Sequence, residues 1–185
     1  LDDSIKNFFN IYDNKSQQTA EKLTTNVESS AESNGIKLDL TQTIGDQSGF
    51  YAVIDASGVK DVPYTLTFRN TDLSITGKDG ANYDYTADDI DSSAVDNGIT
   101  KFPLLVSGVN REGADVNING SHIVLSLQNI GYRNEHNKFV TLQEGDWKLS
   151  WDYQTNAELE RITVDKKISL MDSQGLWTDL TISPL

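Results

Sequence analysis

The sequence predicts a mainly β protein: an immunoglobulin-like antiparallel β-sandwich preceded by a short N-terminal helical segment. Three observations predict it. Apolar residues recur at helical spacing only near the start of the chain, whereas beyond Asn34 they alternate with polar ones at a period of two. Nine or ten such alternating runs follow one another with turn-forming residues between them. No helical pattern separates these runs, so strands with one apolar face must bury it against another sheet.

In chain order, Ile5, Phe8, Phe9 and Tyr12 share one helical face, with Asp2, Asp3 and Ser4 as candidate N-caps, and a second short helix is expected over Gln17 to Thr25. Neither is basic, which suits packing or spacing better than membrane binding. Gly35 to Ile44 reads as a half-buried strand, closed by the turn Gly45-Asp46-Gln47-Ser48-Gly49 and returned by Phe50 to Ala56 as a hairpin. Tyr64 to Ile75 changes apolar parity between Phe68 and Leu73, which predicts a bulge near Asn70-Thr71. Thr76 to Gly98 is a long polar, acidic connection of the kind that often carries function. Strands are expected again at Lys101 to Val109, Asp115 to Ile118, His122 to Ile130, Lys138 to Leu142, Asp146 to Thr155, Glu158 to Leu170 and Leu176 to Ile182. The expected organisation is a helical lead-in or membrane-proximal spacer over 1–33 and a β-sandwich domain over 34–185.

Composition narrows the chemistry. Fifteen basic residues against 28 acidic ones give a net charge of −13, a field that repels phosphate backbones, so nucleic acid is not expected as a partner. There is no cysteine, which removes disulfides, thiolate metal sites and cysteine nucleophiles together. His122 and His136 are the only histidines, and no nucleophile elbow, zinc-protease helix, phosphate loop or dinucleotide fingerprint occurs. The expectation is therefore a non-enzymatic domain without a cofactor. No run approaches the roughly 18 apolar residues of a membrane span. The opening LDDSIKNFF has no signal-peptide pattern, and the last residues follow directly on an alternating run, so the natural protein is expected to continue in both directions.

Two patterns could bind a cation. Asp115, Asn117 and Asn119, followed by Gly120, match the first half of a calcium loop, but position twelve is Ser126 instead of Glu. The alternation of Val116 and Ile118 favours a strand ending in an Asn119-Gly120 type I′ hairpin turn. The acids between Asp79 and Asp96 are the second pattern, and a solvated acidic loop is the simpler account of them. Among the aromatics, Trp147, Leu149, Trp151 and Tyr153 fall on one face of a strand whose other face is wholly polar, which marks them as core more than as a sugar platform. Trp177 lies on the opposite parity to its apolar neighbours. With Tyr83 and Tyr85 it is the candidate for an exposed aromatic contact with an extracellular ligand.

Several segments together resemble a family. Asp3-Ser4-Ile5-Lys6-Asn7-Phe8-Phe9, Asn34-Gly35-Ile36-Lys37-Leu38-Asp39-Leu40, Gly145-Asp146-Trp147-Lys148-Leu149 and the terminal Leu180-Thr181-Ile182-Ser183-Pro184-Leu185 look like the extracellular domain of unknown function in Gram-positive single-pass membrane proteins similar to sigma-factor regulators. The resemblance spans most of the chain through short strand patterns. It implies a transmembrane helix upstream, further β domains downstream, and an anti-sigma-factor-like context at the outer face of a bacterial membrane. It brings no catalytic residues. The expected role is that of a membrane-anchored ectodomain acting in sensing, interaction or spacing; the alternative is a carbohydrate-binding or adhesive module.

Overall fold

The computed structural model describes residues 1, 3–9 and 11–155. Two helices, α1 (Asp3–Phe9) and α2 (Asn14–Leu23), precede nine strands: β1 (Thr24–Ser33), β2 (Ile36–Gly45), β3 (Gly49–Ser57), β4 (Thr67–Thr76), β5 (Asn82–Ala87), β6 (Ala94–Asp96), β7 (Ile99–Val109), β8 (His122–Arg133) and β9 (Phe139–Asp152). The runs expected over Glu158 to Leu170 and Leu176 to Ile182 lie outside the described residues, as does Trp177.

The strands pair antiparallel in the order β1-β2-β3-β7-β5-β4-β8-β9, with β6 added beside β7. The mainly β, antiparallel body is as expected, but its form is that of a sheet curling almost into a barrel. Strand β5 causes the continuity: Asn82 and Tyr83 pair with β4, while Asp84 to Ala87 pair with β7. At the other end β1 comes beside β9, and side chains bridge that seam. The Ser29 and Ser33 hydroxyls accept from the backbone N–H groups of Ser150 (2.9 Å) and Asp146 (3.1 Å). Thr25 Oγ1 and Asn34 Nδ2 donate to the carbonyls of Gln154 (2.6 Å) and Glu144 (3.0 Å). Serine and threonine serve here because their short side chains complete a backbone hydrogen bond where the strands do not pair directly.

The interior is filled by the alternating apolar residues. Leu38 and Leu40 of β2, Ile54 of β3, Phe102 of β7, Leu125 of β8 and Leu149 of β9 are all fully buried in it. Trp147 and Tyr153, core by the sequence pattern, are 2% and 1% exposed. The indole N–H of Trp147 donates to the Ile36 carbonyl at 3.0 Å, and the Tyr153 hydroxyl reaches the Asp46 carbonyl at 2.7 Å. Both rings therefore bury a large apolar surface without stranding their polar atom.

Local differences from expectation have physical causes. The second helix begins at Asn14, earlier than expected, because the Asp13 carboxylate accepts from the Ser16 N–H at 2.9 Å and caps it. Residues 24–33, grouped with the lead-in by sequence, form β1 of the sheet. Strand β4 holds one register against β8 from Thr67 to Thr76, so no bulge sits at Asn70-Thr71. The parity change belongs instead to a bend at Asn129 (φ 49°), a residue type that tolerates left-handed backbone, and to register shifts between β8 and β9. These shifts let one strand, β9, run through both segments expected as separate. The polar stretch 76–98 contains β5 and β6, whose residues are almost all exposed and so carry no alternation.

Candidate functional site

Interior residues of β3 and β7 alternate with residues on the outer face, and there the register sets Tyr51 opposite Leu105 and Val53 opposite Pro103. Helices α1 and α2 lie over β3: Ile5, Ile11, Ala20 and Leu23 pack on Ile44, Tyr51 and Val53 in a second apolar cluster. The cover stops at β3. Tyr51 is 4% exposed, whereas Leu105, its partner on β7, is 46% exposed.

The result is a groove of about 860 Å³, floored by the outer face of β3–β7 and walled on one side by Thr19, Ala20 and Leu23 of α2. Its other wall is the 88–91 crossing from β5 to β6. Ile90 of that crossing is 4% exposed and anchors it in the core, while Asp88, Asp89 and Asp91 stay exposed. The crossing is tied down further: the Ser92 N–H donates to the Leu66 carbonyl (2.7 Å), the Leu66 N–H to Ser92 Oγ (2.7 Å), and Thr67 Oγ1 to the Ile90 carbonyl (3.2 Å). Asp46, at the end of the groove, uses its carboxylate to accept from both the N–H and the hydroxyl of Ser48.

A second cleft, of about 610 Å³ and more polar, opens on the opposite side of the same crossing, above Leu104 and Leu125. Tyr64, Tyr85, Arg69 and Arg133 line it. The Tyr64 ring stacks on Tyr132 with centroids 4.2 Å apart and planes 8° from parallel, and the Arg69 guanidinium lies over Phe139. Tyr85, a sequence candidate, is exposed on β5 and belongs to this cleft. Tyr83, two residues earlier, is half-buried and packs against the core.

The calcium-like motif is arranged differently from its sequence expectation. Residues 115–118 form no strand; Asp115 makes a single bridge to Val109, and Ile118 is buried. The following turn is closed by the Ser121 N–H on the Ile118 carbonyl, with a positive φ at Gly120 (82°) but not at Asn119, so it is not type I′. Asn117 Oδ1 accepts from the Asn119 N–H and Asn119 Oδ1 from the Thr155 N–H, which directs both amide oxygens inward to the chain. Among the described residues no group of three or more His, Asp or Glu side chains is placed to hold a metal. His122 pairs with Asp152 at 2.7 Å across β8–β9, with both side chains exposed, and His136 is exposed in the β8–β9 turn.

Burial pushes the Tyr51 and Tyr153 hydroxyls well above the usual tyrosine range, and for Tyr153 the nearby Asp46 carboxylate adds to the effect. The hydrogen bonds from Ser16 hold the Asp13 carboxyl below its ordinary value. The signal for the groove was present in Phe102-Pro103-Leu104-Leu105-Val106, where Pro103 and Leu105 place apolar side chains on the face that should be polar. The stacking of Tyr64 on Tyr132 had no sequence signal, because the two residues are distant in the chain. No family model, curated protein or solved structure matches the chain.

Proposed function

We propose that the chain is a non-enzymatic interaction domain of a membrane-anchored, regulator-like protein, displayed on the outer face of a bacterial cell membrane. The observation that carries the interaction part of this reading is the apolar strip of β7 that helices α1 and α2 leave exposed beside an anchored acidic crossing. Surfaces that combine an apolar floor with polar groups at the rim are those that proteins use for binding. In this reading the near-barrel acts as a flattened, immunoglobulin-like sandwich. Its two layers meet where Phe68 of β4 packs on Phe102 of β7 (centroids 4.9 Å apart) and against Trp147 of β9. The anti-sigma-factor-like context and the membrane anchor rest on the family resemblance.

The test uses the full-length gene product in its own host. Residues 1–155 are exchanged for an unrelated β domain of similar size, and transcription of the neighbouring genes is compared with that in a variant carrying only substitutions in the β3–β7 groove. An interaction domain predicts loss of the response in both, with membrane association retained. A response that survives the exchange would reduce the domain to a spacer and overturn the reading.

A second reading, a carbohydrate-binding module, is favoured by one observation: exposed Tyr64 and Tyr85 flank the polar cleft with Arg69 and Arg133. Aromatic faces stack on sugar rings only where solvent reaches them. Calorimetric titration with soluble cell-wall oligosaccharides should give heat that Tyr64→Ala and Tyr85→Ala abolish. An absence of heat in the parent chain would remove this reading.

A further inference from the structure

We propose that the groove between α2 and the outer face of β3–β7 docks a short, basic, amphipathic polypeptide segment of a partner. This rests on the reading of the chain as an interaction domain and names the chemistry of what it would hold.

The floor supplies the apolar half of the match. Cross-strand pairs Tyr51–Leu105 and Val53–Pro103 lie on one face, and the helices cover only the β3 member of each pair. Leu105 is 46% exposed on a chain whose mean hydropathy is −0.45, so an apolar side chain seated against it would remove surface that is otherwise wetted. The inner face of α2 presents Ser16, Thr19 and Ala20 to the groove, small residues that leave room between helix and strand. The groove volume lies within the range of about 300–1,000 Å³ usual for ligand pockets, enough for a few side chains of an inserted segment but not for a domain.

The rim supplies the charged half. Among the described residues, four carboxylates, Asp46, Asp88, Asp89 and Asp91, line the groove with one ammonium, Lys15. The wall that carries three of them is fixed by Ile90 and by the Ser92–Leu66 hydrogen-bond pair, so these charges are held in place instead of being spread over a free loop. An occupant with an apolar face and lysines or arginines beside it satisfies floor and rim together. A second copy of this chain, also carrying −13, meets repulsion there, as does an anionic lipid surface. A purely apolar ligand would leave the carboxylates unused.

The experiment titrates a fluorescein-labelled leucine/lysine amphipathic peptide with the full 185-residue chain at low salt and follows anisotropy. A leucine/glutamate peptide of the same pattern is the control. The lysine peptide should bind saturably and the glutamate peptide should not. Leu105→Asn should weaken binding about tenfold, the effect of leaving one leucine contact unmade. A D88N/D89N/D91N variant should weaken it about fivefold at low salt and show less salt dependence. Leu105 and the three aspartates are exposed, so unchanged far-ultraviolet circular dichroism and melting would show that the variants fold. Three results would overturn the proposal: no binding to the parent chain; equal affinity for Leu105→Asn, which would mean charge attraction alone; or equal binding of both peptides. Failure here, with the cellular response lost on exchange of the domain but kept in the groove variant, would relocate the site without touching the domain's role.

Discussion

The near-closure of the sheet depends on serine hydroxyls at the β1–β9 seam. The perturbation is the double substitution Ser29→Ala, Ser33→Ala. Each removes one acceptor for a β9 backbone N–H, that of Ser150 or of Asp146. A net hydrogen bond contributes about 0.5–1.5 kcal/mol, and the loss falls at the lower end when water can replace the acceptor. Ser150 and Asp146 are exposed, so their freed N–H groups can be hydrated. The double variant should lose about 1–2 kcal/mol, which for a domain of this size is a fall in Tm of about 2–8 °C. The decisive assay is amide hydrogen exchange. In the parent chain the Ser150 and Asp146 amides should be protected although they lie on the side of β9 away from β8. In the double variant these two should exchange at least about tenfold faster, while amides bonded between β8 and β9 keep their protection. Unchanged protection of Ser150 and Asp146 would mean that other groups hold β9 to β1, and would refute the seam as described.

Other substitutions address the core. Thr43 is 1% exposed and its hydroxyl finds no partner among the described residues, so Thr43→Val should raise stability by about 1 kcal/mol in denaturant unfolding; a destabilised variant would show that the hydroxyl is satisfied. A methyl group at Gly145 would run into the six-membered ring of Trp147, so Gly145→Ala should destabilise by about 1–3 kcal/mol, and a neutral effect would mean that the indole can move aside. The raised acidities of Tyr51 and Tyr153 have a defined sign. A folded-state value above the unfolded one gives stability that is complete below the ordinary tyrosine range, near pH 10, and is lost as pH climbs toward the folded values. Absorbance at the tyrosinate band should show Tyr51 and Tyr153 ionising only together with loss of structure, read by their removal in Tyr51→Phe and Tyr153→Phe; their ionisation in the folded chain would contradict the burial.

Much of this architecture was legible because burial is one-sided. Strand β2 and the Trp147, Leu149, Trp151, Tyr153 row could be read directly, since alternate residues face a dry interior and water. Strands β5 and β6 could not, because they are wetted on both faces and have no pattern to display. The segment 115–118 alternates convincingly yet forms no strand; Val116 and Ile118 crowd against Gly108, a packing role that mimics strand periodicity. Closure was invisible because Ser29 and Ser33 fall in the segment 1–33 read as a helical lead-in, where nothing marked them as strand residues. The groove is a mixed case. Leu105 broke the expected alternation, but only the fold reveals that α2 stops short of it and that Asp88, Asp89 and Asp91, far along the chain, form the facing wall.

In the function we propose, this domain acts outside a membrane that anchors the full-length protein, and a chain without cysteine allows that proposal to be measured directly. Glu112 is exposed in the β7–β8 connection, so Glu112→Cys in the full-length gene product offers a single reporter within this domain. Intact cells are treated with a membrane-impermeant maleimide, with the unsubstituted protein as the control for cysteines elsewhere. Labelling at Cys-substituted position 112 in unbroken cells, equal to that after lysis, is the predicted result; labelling that appears only after lysis would contradict the claim.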